Sequence, residues 1–171
     1  MNIAPNSRPS GLRHARVPGL AEGLIWLSGF GIAGVAAELA LSRHWQSPSQ
    51  GIAWASVLLL AWGWASARRL VTAGPGRHGP TAAPHRRRVT WIAALATAIG
   101  VLGVWMHVSG NHEAGPLDAV YGGLWDGMSP WRQWWLALSM RVGPAPALAS
   151  GALVLLAGML WLAASADHAP D

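Results

Sequence analysis

Five side chains able to hold a proton or a metal ion fall into two short groups in this 171-residue sequence: Glu38 with His44, and His107 with His112 and Glu113. The groups echo one another. Gly31 and Gly34 precede Glu38, Gly100 and Gly103 precede His107, and in each case the second glycine lies four residues before the ionisable group. Six residues past Glu38 stands His44, and six past His107 stands Glu113, so acid and imidazole exchange places. Imidazoles and carboxylates together can ligate a divalent ion such as zinc, manganese, iron or copper. A Glu–His pair can instead hold or pass a proton. A third reading is a hydrogen-bonded network that locks helices together, with Gln50 and Asn111 in support. Paired His44 and His107 would also suit a haem, except that His44 falls beyond the end of its apolar segment. No HExxH or Glu-x-x-His motif and no nucleophile elbow occurs.

The glycines indicate how such groups would be placed. Helix positions four and seven residues back share a face with the residue considered. For His107 that face is Gly103, Gly100, Ala96 and Ala93, and for Glu38 it is Gly34 and Gly31. Small residues let helices in a membrane approach closely. Each ionisable group is therefore expected at the top of a packing seam, pointing between helices.

The composition agrees with a membrane setting. The chain is 52% hydrophobic and 11% charged, with a mean hydropathy of +0.29 that reflects polar tails and loops. There is no cysteine, which excludes thiolate, disulfide and iron–sulfur chemistry. There is no lysine either, which excludes Schiff-base chemistry and a P-loop. A net charge of +5 does not point to nucleic acid, because the 12 arginines are placed as topology signals. Arg8, Arg13 and Arg16 precede the first apolar stretch, and Arg68, Arg69, Arg77, Arg86, Arg87 and Arg88 separate the second from the third. Only Arg43, Arg132 and Arg141 fall in the alternate loops.

Four segments have the length and apolarity expected of membrane spans, 20–41, 51–67, 89–109 and 146–165. The expected fold is all-α and polytopic, two helical hairpins with both termini cytoplasmic. Residues 1–19 form a basic tail, 20–67 the first hairpin, 68–88 a linker rich in Arg, Pro and Gly, 89–165 the second hairpin, and 166–171 a short tail. The linker, with Pro75, Pro80 and Pro84, is read as non-helical. His14, His78, His85 and His168 are read as solvated in the tails and linker, Asp118 and Asp126 as loop caps, and Glu22 as a first-turn acid of the first helix.

The echo continues: 55–64 resembles 152–161 at five positions, with the offset grown from 69 to 97 residues. Duplication of a hairpin is one reading, with an insertion in the outer segment 110–145. The other is the ease with which Gly, Ala, Val and Leu match in any apolar helix. Within that outer segment Tyr121, Trp125, Trp131, Trp134 and Trp135 crowd together. Ser129 and Pro130 suit a cap and first helical position. A helix over 130–141 would carry Trp131, Trp134, Trp135 and Leu138 on one face, suited to lie in the headgroup layer.

The run His107, Gly110, Asn111 and Glu113, followed by Pro146, Ala147, Leu148 and Ala149, resembles a group of uncharacterised bacterial four-span integral membrane proteins. That group carries His-x-x-Gly-Asn-x-Glu after its third helix and Pro-Ala-Leu-Ala opening its fourth. Glu38, His44 and Gln50 also resemble its first hairpin, whereas Ala114, Gly115 and Pro116 depart from the aromatic and acidic residues expected there. The resemblance implies a fold and a bacterial inner-membrane location, but no activity. Together these features suggest an accessory or structural membrane component without enzymatic chemistry, in contact with the lipid bilayer and assembling as a homo-oligomer or within a larger membrane complex. The alternative is a metal-binding or proton-linked protein, a transporter component or small membrane oxidoreductase, using Glu38, His44, His107, His112 and Glu113.

Overall fold

A computed structural model of the chain describes residues 19–46, 48–73, 82–145 and 150–166. Among these residues every regular element is helical. They are α1 (Leu20–Leu41), α2 (Pro48–Ala73), α3 (Ala82–Glu113), α4 (Pro130–Leu138) and α5 (Gly151–Ser165), with two 3₁₀ turns at Gly115–Leu117 and Gly122–Gly127. Two of them, α1 and α3, are long and apolar enough to cross a membrane. At 1.5 Å per residue they extend about 33 and 48 Å, against a hydrocarbon core of about 30 Å. The apolar α5 is shorter, 15 residues, and the remaining expected span lies within the 26 residues of α2.

The helix α5 occupies the middle of the packing. It touches α1, α2 and α3, while α1 and α3 lie across from one another. Its buried side, Leu153, Leu156, Ala157, Leu160, Ala163 and Ala164, repeats every three to four residues and so forms one face, while Leu155, Trp161 and Leu162 are exposed. Ile25 and Ile32 of α1, Val57 and Leu60 of α2, and Val89, Ala93 and Ala96 of α3 complete the same core.

Glycines set the closest approaches. A side chain at Gly31 would strike Leu156 of α5. A β-carbon at Gly100 would lie 2.8 Å from Val154 and 3.0 Å from the Ser150 carbonyl, and one at Gly103 would lie 2.6 Å from the Ser150 hydroxyl. Gly31 of the first echoed pair and both glycines of the second thus lean on α5 or its N-cap residue Ser150. Gly34 differs from the expectation: it is exposed, and nothing lies within 4 Å of where its β-carbon would stand. The seam below Glu38 therefore closes at Gly31 only.

The segment expected to be a non-helical linker is shorter than 68–88. The helix α2 runs on to Ala73 and α3 begins at Ala82, so Arg68, Arg69, Arg86, Arg87 and Arg88 all sit on helix ends. Pro84 falls in the first turn of α3, where no backbone N–H is needed for an intrahelical bond. The remaining residues of that linker, 74–81, lie outside the described residues, as do the tails 1–18 and 167–171 and the Pro146–Ala149 run.

Three buried serines and one tryptophan between the helices find partners within the protein. Ser28, Ser56 and Ser66 are buried, and each hydroxyl donates to the carbonyl four residues back, at 2.7, 2.8 and 3.0 Å. The Trp64 indole N–H donates to the Ile25 carbonyl at 2.8 Å, tying α2 to α1.

The glycine geometry gives a discriminating expectation. Gly100→Leu should lower stability in detergent by about 1–3 kcal/mol through overpacking against α5. Gly34→Ala should be neutral or raise stability by about 0.5–1 kcal/mol through helix propensity. Thermal unfolding of both variants, followed by circular dichroism, checks the pair, and equal effects would contradict the assignment of the seam.

Candidate functional site

His107 stands one turn beyond Gly103, so the close approach of α3 to Ser150 carries the imidazole to the start of α5. His44 arrives by a different route. The helix α1 ends at Leu41, as the apolar pattern suggests, and Arg43 takes a left-handed conformation with φ of 52°. The His44 N–H then reaches the Leu39 carbonyl at 2.9 Å and the Arg43 N–H reaches Ala40 at 3.1 Å. This pairing is a Schellman motif, which turns the chain back over the last turn of its own helix. The indole N–H of Trp54 on α2 holds the His44 carbonyl at 2.7 Å, and Gln50 accepts a hydrogen bond from the Gln46 N–H at 2.6 Å.

The result is a pair of adjoining cavities of about 310 and 320 Å³ whose walls share His44, Ala53, His107, Ser150 and Leu153. The first is closed by Val35 and Leu39 and rimmed by Glu38 and Ser42. The second continues past Gln50 and Ser56 toward Ile99, Leu102 and Met106. Glu38 is exposed, while His44 and His107 are half-buried. The walls are mainly apolar, with a few polar groups converging at one end. That is the ordinary form of a small-molecule pocket, mostly apolar with a few placed polar groups.

The structure brings together Glu38, His44 and His107, with Gln50 beside them. It does not bring His112 or Glu113 there. The sequence expectation ended the third apolar segment at 109 and left a loop to gather these residues. The helix instead continues to Glu113. Five residues at 100° each turn His112 about 140° away from His107. Its imidazole stacks on Trp134 of α4 with ring centroids 4.3 Å apart and meets the edge of Trp125 at 5.3 Å. Glu113 is exposed. Among the described residues no three His, Asp or Glu side chains come close enough together to hold one metal ion. The five-residue ligand set is thus divided: Glu38, His44 and His107 line the cavity, His112 sits among tryptophans, and Glu113 is exposed.

Asn111, expected as support for that set, has a different task. It is fully buried, and its amide donates to the carbonyls of Ala137 at 3.1 Å and Ala145 at 2.8 Å while accepting from the Ala145 N–H at 2.9 Å. One side chain thereby clamps the end of α4 and the following loop onto α3. Gly143, with φ of 77°, lies directly against it, where a side chain would collide with Asn111.

The outer segment also departs from the expected helix over 130–141. The helix α4 stops at Leu138, because Met140 turns left-handed (φ 57°) and Arg141 N–H closes onto the Leu136 carbonyl at 3.0 Å, a second Schellman ending. Its tryptophans divide. Trp134 packs inward with Leu138 against Val104 and Val108 and stacks on Trp105 at 5.5 Å, whereas Trp131 and Trp135 are exposed. Ser129 is the N-cap residue, with Pro130 following, but its side chain makes no capping bond.

Two other sequence expectations are met directly. Asp118 caps its loop, accepting from the Val120 and Tyr121 N–H groups at 2.9 Å each, and Glu22 lies in the first turn of α1. His85 is not in a loop but in the first turn of α3, half-buried. His14, His78 and His168 lie outside the described residues.

No family model, curated protein or solved structure matches this chain. The functional reading therefore rests on the residues and their geometry.

Replacing Asn111 by Ala should strand the amide and carbonyl groups it now pairs, costing about 1–3 kcal/mol for each group left buried without a partner. The outer segment should loosen first, so limited proteolysis should cut within residues 114–145 sooner in the variant than in the parent. Identical cleavage would show that Asn111 does not hold the segment.

Proposed function

We propose that this protein is an integral membrane component of the bacterial inner membrane, with accessory or structural and not enzymatic action. In this reading the helices cross the bilayer four times as two hairpins, with both termini on the arginine-rich side. The cavity of Glu38, His44 and His107 then lies toward the outer face. One observation carries the membrane reading. The apolar windows of α1 and α3 are only 17% and 28% buried within the structure. A helix in the core of a soluble domain would be covered; these present Trp26, Phe30, Leu95, Val101, Leu102 and Met106 outward. Arginines at one end and tryptophans at both fit a bilayer-crossing orientation.

Alkaline carbonate washing of membranes tests this directly. The protein should remain with the bilayer and be released only by detergent. Recovery in the aqueous wash would overturn the proposal.

The alternative, a metal-binding or proton-linked protein, draws on Glu38, His44 and His107 lining one cavity; since no three such side chains among the described residues lie close enough to hold one ion, the proton-linked form of it is the better supported. Elemental analysis of detergent-purified protein separates the two. An accessory protein should carry no stoichiometric metal, whereas about one ion per chain, lost in His107→Ala, would establish the alternative. In the accessory reading Glu38→Gln and His107→Gln should leave assembly intact, as judged by gel filtration in detergent.

A further inference from the structure

The end of the helices opposite the cavity is strongly cationic and has a defined geometry. Arg68, near the end of α2, rests its guanidinium 5.3 Å from the ring centre of Trp64 and 5.8 Å from that of Trp26 on α1. Arg88, on α3, lies 5.1 Å from the ring centre of Trp62. Trp62 and Trp64 are two residues apart, about 200° around α2, so the two guanidinium–indole pairs flank that helix on opposite sides. Arg69 and Arg87 are exposed beside them. Among the described residues the only carboxylate at this end is Glu22, and no ion pair neutralises Arg68 or Arg88.

Two physical facts make this arrangement more than a topology signal. A guanidinium stacked on an indole loses conformational freedom but keeps its N–H donors in the plane, able to take a phosphate with two parallel bonds. Arg86, Arg87 and Arg88 also follow the first turn of α3, the positive end of its dipole, where cations are unfavourable and an anion is favoured. In the same turn the His85 Nδ1 is buried without a hydrogen-bond partner among the described residues. The tryptophans, half or more exposed in the case of Trp26 and Trp62, are the side chains that settle at headgroup depth.

We propose that Arg68 and Arg88, each held by its indole, bind the phosphodiester headgroups of two anionic phospholipids, one on either flank of α2. The inference rests on the membrane reading above. The ligand is a lipid and not a free phosphate, because the stacked indoles and the exposed apolar faces below them offer contact to acyl chains as well.

The test is native mass spectrometry of the protein released from neutral detergent micelles doped with equal amounts of phosphatidylglycerol and phosphatidylcholine. Up to two phosphatidylglycerol molecules per chain should be retained in preference to phosphatidylcholine. Arg68→Gln and Arg88→Gln should each remove one, weakening retention about five-fold per guanidinium lost. The paired control Arg132→Gln with Arg141→Gln, at the opposite end, should change nothing. Excess inorganic phosphate should leave the bound lipid in place; displacement would mean a free-phosphate site and overturn the lipid assignment. Equal retention of the two lipids by the parent protein would overturn it without any variant. If the protein stays monodisperse in buffer without detergent, the membrane reading itself fails and takes this inference with it. If it needs detergent yet shows no preference, only the headgroup sites fall.

Discussion

The polar end of this protein depends on how closely α3 and α5 approach at Gly100 and Gly103. With hydrogen in place of a side chain there, the Ser150 carbonyl and hydroxyl come within contact of α3. His107 follows one turn later and reaches the same place, and Asn111 follows one turn after that and seizes the chain returning from α4. A larger residue at either glycine would push α5 outward and separate the walls of the cavity. In an apolar surrounding little hydrophobic force drives helices together, so contact of this kind must come from shape.

The proposed membrane setting also bears on the handling of polar groups. A buried amide or hydroxyl without a partner is costly where no water can reach it. The three buried serines therefore return their protons to their own helices, Trp64 gives its N–H to α1, and Asn111 pairs three times with backbone. These bonds do two different jobs. Those within a helix only satisfy a hydroxyl, whereas those of Trp64 and Asn111 cross between elements and define which parts stay together.

The two ends of the helices have opposite characters. One holds guanidinium groups against indoles and almost no acid; the other holds two imidazoles and a carboxylate around an apolar chamber. The aromatic residues serve both ends differently. Near α2 they brace cations, while at α4 they enclose the imidazole of His112 between Trp134 and Trp125.

Much of this was legible in the order of residues. The all-helical class, the extent of α1, the tight glycines at 31, 100 and 103, the capping role of Asp118 and the position of His44 past its helix all follow from local periodicity and turn chemistry, which act within a few residues. What tertiary structure alone decided is which faces meet. Gly34 matches Gly103 in sequence yet faces outward, because α1 meets α5 along the face of Gly31. His112 and Glu113 stand near His107 in sequence yet leave it, because the helix runs four residues further than the apolar segment, to Glu113, and rotates them away. Asn111 looked like a supporting ligand and proved to be a clamp, since its partners Ala137 and Ala145 are brought near only by the fold. A sequence records the reach of each side chain, and the packing of helices determines what lies within that reach.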